Sequence, residues 1–98
     1  MIYDFHPSAR QELEEALNYY DKISIELGET FLDEFERAVE RILAFPEAWF
    51  LLSTNTRRCR LSRFPYNIIY QIQEEQIIII AIAHWQRKPN YWTDRLPV

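Results

Sequence analysis

The chain has 98 residues, 48% of them hydrophobic and 27% charged, with one glycine, five prolines and a single cysteine. That is enough apolar sequence for one core, too little length for two, and the wrong composition for a disordered chain, so residues 1–98 are read as a single domain. The formal net charge of −4 is unevenly distributed: residues 1–50 carry 12 acidic and 4 basic side chains, whereas residues 51–98 carry 7 basic and 3 acidic ones.

This asymmetry makes the second half the part suited to a polyanion or an acidic peptide, and the first half a solvated helical surface. Cys59 stands alone, which excludes an intramolecular disulfide framework and makes the cytoplasm the expected compartment. The longest apolar run, Ile77 to Ala83, is far short of a membrane span, and the N-terminal "MIYDFHPSARQELEE" has no basic region followed by an apolar one. Neither a membrane partner nor a targeting signal is expected.

In chain order, "MIYDFH" alternates and stops at Pro7, as a first strand would; Pro7 then suits the first turn of a helix. Ala9, Leu13, Ala16, Leu17 and Tyr20 recur at helical spacing, with Gln11, Glu12, Glu14 and Glu15 on other faces. Gly28, after "ISIEL", is the expected break before a second helix. That helix has Phe31, Phe35, Ala38, Val39 and Ile42 as its apolar stripe, Asp33 and Arg37 as an i,i+4 pair, and Pro46 at its end. A loop is expected around "PEAWFLLSTNT", and the period then changes to that of strands. "RRCRLSRF" alternates in part, and "YNIIYQIQ" sets Tyr66, Ile68, Tyr70 and Ile72 against Asn67, Ile69, Gln71 and Gln73. After a turn at Glu74 and Glu75, "QIIIIAIAH" is apolar on both faces and so the most enclosed strand. The order β-α-α-β-β-β predicts an α+β fold with a helical hairpin covering one face of a sheet.

The residues exclude several chemistries. His6, His84 and Cys59 are isolated, so no metal site and no cofactor are expected; one glycine cannot make a phosphate loop; and the carboxylates sit at amphipathic helical spacing rather than as an acid pair. What remains is basic and aromatic. Arg57, Arg58, Arg60 and Arg63 cluster on one strand and its exit, and Arg87, Lys88 and Arg95 lie near the C-terminus. Alternation puts Arg58 and Arg60 on one face, and an arginine fork fits phosphate or carboxylate. The same charges also serve to protect an edge strand from unwanted pairing. His84 reads either as an acid or base or as a strand-end ring bonded to the backbone. Trp85 and Trp92 read as core or partner contacts, and Tyr91 either as a base favoured by flanking guanidiniums or as an ordinary buried hydroxyl.

Taken together, "ARQELEEALNYY", "LGETFLDEFERAVERILAFP", "FPYNIIYQI" and "IIIIAIAHWQRKPNYWTDR" resemble the RelE/ParE superfamily of toxins (plasmid stabilisation proteins) from bacterial type II toxin-antitoxin systems. The likeness spans nearly the whole chain and is most specific at its end, in His84, Arg87, Pro89, Tyr91, Trp92 and Arg95. It implies a helical hairpin on a small, mostly antiparallel sheet, and a growth-inhibiting toxin neutralised by a cognate antitoxin, with operator DNA met only through the antitoxin complex. RelE-like members cut messenger RNA on the ribosome, using basic residues and a tyrosine to support attack of a ribose 2′-hydroxyl. ParE-like members poison DNA gyrase.

Carried over by residue, the resemblance makes Arg58, Arg60, His84, Arg87 and Tyr91 the candidate catalytic set. Arg57, Arg63, Asn67, Trp85, Lys88, Trp92 and Arg95 are the candidate binding set. Asn67 and Trp85 stand where RelE-like enzymes have arginines, and cleavage of RNA through a dianionic transition state needs concentrated positive charge. Three readings follow: a ParE-like inhibitor of gyrase, a RelE-like ribosome-dependent endoribonuclease, and a decayed member that only binds its antitoxin. The missing arginines favour the first over the second.

Overall fold

The computed structural model describes residues 1–96. Strand β1 (Ile2–Phe5) leads into helices α1 (Pro7–Ile23) and α2 (Ile25–Ala44), followed by β2 (Phe50–Ser53), β3 (Thr56–Arg60), β4 (Tyr66–Gln73), β5 (Gln76–His84) and a short 3-10 turn at Thr93–Arg95. The five strands form one sheet in the order β1-β5-β4-β3-β2, with β1 parallel to β5 and the other pairs antiparallel. The helical hairpin covers one face: Phe31, Phe35, Ala38, Val39 and Ile42 are buried as their spacing predicts, against Cys59, Leu61, Ile68, Tyr70, Ile77 and Ile79. A smaller apolar cluster of Ile69, Ile78, Ile80, Ala81, Ala83 and Trp92 lies on the opposite face.

Three expectations are corrected here. The hairpin turns at Ser24, whose extended backbone ends α1 and whose hydroxyl accepts the Leu27 amide at 3.0 Å to cap α2. Gly28 is instead a buried residue inside α2, where an added Cβ would stand 3.1 Å from the Asp21 Cα, so it is there for close approach of the helices. Arg37 pairs with Glu34 at 3.7 Å, one residue nearer than Asp33. The loop expected around residues 46–56 contains β2, a fifth strand, which pairs Phe50 with Arg58 and Leu51 with Arg57. Arg57 Nη1 donates to the carbonyls of Glu47 and Trp49, both at 2.9 Å, and so fastens the approach to β2. A four-residue run with no alternation carries no period from which to read a strand.

One irregularity decides what faces where. Between β4 and β5, Ile69 pairs with Ala81 but Tyr70 pairs with Ile79, leaving Ile80 as an extra residue in β5. The side chains therefore change parity: Ile77, Ile79 and Ile82 enter the core under the helices, while Ile78, Ile80, Ala81 and Ala83 face the other way. As a consequence His84 lies on the helical side, its ring centroid 5.0 Å from that of Tyr66, and Trp85 is turned to the opposite face. Regular alternation from Ile77 would have exchanged them.

Candidate functional site

On the face away from the helices, β3 presents Arg58 and Arg60, as alternation predicts, next to Asn67 of β4. Two adjoining hollows run along this face. One of about 480 Å³ is lined by Trp49, Phe50, Arg58, Arg60, Asn67 and Trp85. The other, of about 220 Å³, shares Arg58, Asn67 and Trp85 and continues to Arg87, Lys88 and Tyr91. Together they make a groove whose floor is strand and whose far wall is the segment after β5.

Each groove arginine lies over an aromatic ring: the Arg58 guanidinium carbon is 4.2 Å from the centroid of Phe50, and that of Arg60 is 4.4 Å from Trp85. Such contacts contribute about 0.5–1 kcal/mol at exposed sites, and they limit the rotamers of an otherwise mobile side chain. Phe50 and Trp85 remain 60% and 49% exposed, so both stacks are open to a partner. Among the described residues neither Arg58, Arg60 nor Lys88 has a carboxylate within 4.0 Å. The groove thus offers pre-organised, unneutralised donors beside accessible rings, the composition of a binding hot spot.

The wall is held by a residue whose helical spacing predicts a solvated face. Glu12 of α1 is a single acceptor for several donors from the end of the chain. Arg95 binds it with both forks, Nη1 to Oε1 at 3.0 Å and Nη2 to Oε2 at 2.9 Å. The Tyr91 hydroxyl donates to Oε2 at 2.8 Å, the Ile82 amide donates to Oε1 at 3.0 Å, and Arg87 Nη1 stands 3.9 Å away. The clue available in the sequence is small: one glutamate adjoining the apolar stripe of α1, with Tyr91 and Arg95 far along the chain.

This arrangement makes the Tyr91 hydroxyl a donor to a carboxylate. Burial, and after it the hydrogen bond to the negative Glu12 carboxylate, pushes the phenol well above its usual range, outweighing Arg87 and Arg95. The phenolate is disfavoured. Arg87 lies over its ring at 3.9 Å. His84 is likewise engaged: its Nδ1 accepts the Gln86 amide at 3.0 Å, which leaves the proton of the neutral ring on Nε2. His6 does the same for Ser8, at 3.1 Å.

The other expected catalytic and binding residues divide. Arg60, Asn67, Trp85, Arg87 and Lys88 line the groove with Arg58. Trp92 touches it from beneath but is 6% exposed and belongs to the second apolar cluster. Arg57 and Arg95 are directed toward loop carbonyls and Glu12, respectively, and not into the groove. Arg63 sits in the β3–β4 connection with a φ of 72° and lines neither hollow. Among the described residues no three His, Cys, Asp or Glu side chains are grouped to hold a metal ion, and no helix is long and apolar enough to cross a membrane.

Comparison with known proteins matches this architecture. The family model described as "ParE toxin of type II toxin-antitoxin system, parDE" matches residues 3–89. Among solved structures, a chain of the chromosomal ParDE toxin-antitoxin system from P. aeruginosa superposes with a TM-score of 0.72 at 18% identity, over 86% of this chain and 95% of that one. The isolated E. coli RelE toxin superposes with a TM-score of 0.64 at 20% identity, over 96% and 94%. No curated protein sequence matches the chain.

Proposed function

Because the chain belongs to the ParE toxin family of type II toxin-antitoxin systems, we propose that it arrests growth by binding a protein target in the cytoplasm, DNA gyrase, and not by cutting RNA. A cognate antitoxin is the partner its family implies. The observation that carries the reading is the engagement of both candidate proton carriers: Tyr91 donates to Glu12, and His84 Nδ1 accepts from Gln86. Attack of a 2′-hydroxyl on phosphate needs a side chain free to take its proton, within hydrogen-bond reach, and a concentration of positive charge around the transition state. The groove supplies Arg58 and Arg60, but the two further positions hold Asn67 and Trp85. Guanidiniums stacked on exposed rings instead suit an acidic and partly apolar protein surface.

The antitoxin is expected to cover the same groove with an acidic segment that folds on binding. The competing nuclease reading draws on the shared face of Arg58 and Arg60, which also fits a phosphate. Following translation and DNA integrity through the first minutes of induction separates the two. Gyrase-dependent DNA breaks and the SOS response while bulk translation continues are expected. Rapid cleavage of ribosome-bound message with intact DNA would establish the nuclease, and no arrest at all would mark a decayed member that only binds its antitoxin.

A further inference from the structure

Strand β1 pairs with β5 only as far as Phe5 and Ile79, and His6 N then donates to Ile79 O at 2.8 Å. Beyond that point, among the described residues, no strand neighbours the outer edge of β5, whose backbone groups still require partners. Side chains supply them. Arg95 Nη1 donates to Ile80 O at 2.9 Å, and Ile82 N donates to Glu12 Oε1 at 3.0 Å. The Glu12–Arg95 pair therefore continues the edge where β1 ends, using a carboxylate from α1 and a guanidinium from the C-terminal segment.

We propose that Glu12 is a positioning residue for target recognition: through Arg95 it latches residues 85–96 onto the sheet and so places Arg87 and Lys88 across the groove from Arg58 and Arg60. This rests on the reading of the groove as the target-binding face. Glu12 and Arg95 have side chains only 11% and 14% exposed, so their attraction is weakly screened and removing either leaves a largely buried charge without its main partner. Three of the side chains gathered at Glu12 come from this one segment: Arg87, Tyr91 and Arg95. The segment is also held at its start by Trp85 N donating to Pro65 O at 2.9 Å, and further on by Trp92, packed with Ile69, Ile78 and Ile80. With the carboxylate gone, Arg95 must turn to water, and the chain on either side of it loses its register on β5.

The test combines a local and a functional readout on the full chain. Glu12→Gln and Arg95→Gln are each examined by amide hydrogen exchange, and by growth arrest at matched levels of soluble protein. Both variants are expected to speed exchange at Ile82, Tyr91, Thr93 and Arg95 by about tenfold or more, with Ile68 and Tyr70 in the centre of the sheet unaffected. Growth arrest should weaken in parallel. The double variant Glu12→Gln/Arg95→Gln leaves no buried unpaired charge and carries the test should a single variant fail to fold. Unchanged exchange after residue 80 would overturn the latch, and an opened segment with undiminished arrest would overturn its functional role. Arrest that weakens with opening, in cells whose DNA stays intact even under the unsubstituted toxin, would uphold the latch and remove gyrase as the target.

Discussion

Replacing Tyr91 by Phe takes away one oxygen atom and keeps the ring on which Arg87 stacks, so it asks whether that hydroxyl does chemistry or holds structure. In the structure it donates to Glu12 Oε2 at 2.8 Å, beside the two forks of Arg95. A hydrogen bond to a charged group contributes about 1.5–3 kcal/mol. The lower end applies, because Glu12 keeps Arg95 and Ile82 as donors and the carboxylate is not orphaned. For a domain near this size each kcal/mol moves the melting temperature by about 4–8 °C, so Tyr91→Phe should melt roughly 6–12 °C below the parent. The latch through Arg95 survives, and growth arrest at matched soluble levels should change by less than about threefold. An acid or base in the transition state contributes about 10²–10⁴-fold. Thermal unfolding followed by circular dichroism, and plating efficiency after induction, measure the two quantities. An unchanged melting temperature with a hundredfold loss of toxicity would refute the reasoning and return Tyr91 to the catalytic set.

Reversing charge in the groove, by Arg58→Glu or Arg87→Glu, should weaken antitoxin binding by about tenfold or more, equivalent to about 1.4 kcal/mol each; titration calorimetry indifferent to both would place the interface elsewhere. Gly28→Ala should destabilise by about 1 kcal/mol, since crowding of the helices (about 1–3) exceeds the gain in helix propensity (about 1). The added Cβ would meet Asp21 Oδ1 at 2.7 Å and its Cα at 3.1 Å, and a higher melting temperature would show that the hairpin can spread. Burial pushes Tyr66 and Tyr70 up to about 12, against about 10 in the unfolded chain. The folded state thus holds protons that the unfolded state releases, so stability is full below pH ~10 and falls as the pH climbs toward ~12. Denaturant unfolding at pH 8 and 11 tests this, and Tyr70→Phe, which also loses the 2.6 Å bond to Pro46 O, should flatten the fall.

Periodicity alone determined the two helices, the apolar stripe of α2, the enclosed β5 and the shared face of Arg58 and Arg60, because each is a relation among residues a few positions apart. The resemblance carried by the C-terminal motif added the family and its mostly antiparallel sheet. What only the tertiary structure decided lies in longer relations. The extra residue at Ile80 reverses the parity of β5, sending Trp85 to the groove and His84 toward Tyr66, and no alternation in an unbroken isoleucine run marks where such a bulge falls. Arg57 and Arg95 look like Arg58 and Arg60 in sequence, yet the first two face carbonyls and a carboxylate inside the fold while the others face solvent. Glu12 reads as one more charge on an acidic helix until β5 and the chain end, some 70 to 83 residues later, bring Ile82, Tyr91 and Arg95 to its two oxygens. A hydrogen bond across that separation is set by how the layers pack, and packing leaves no local period to read.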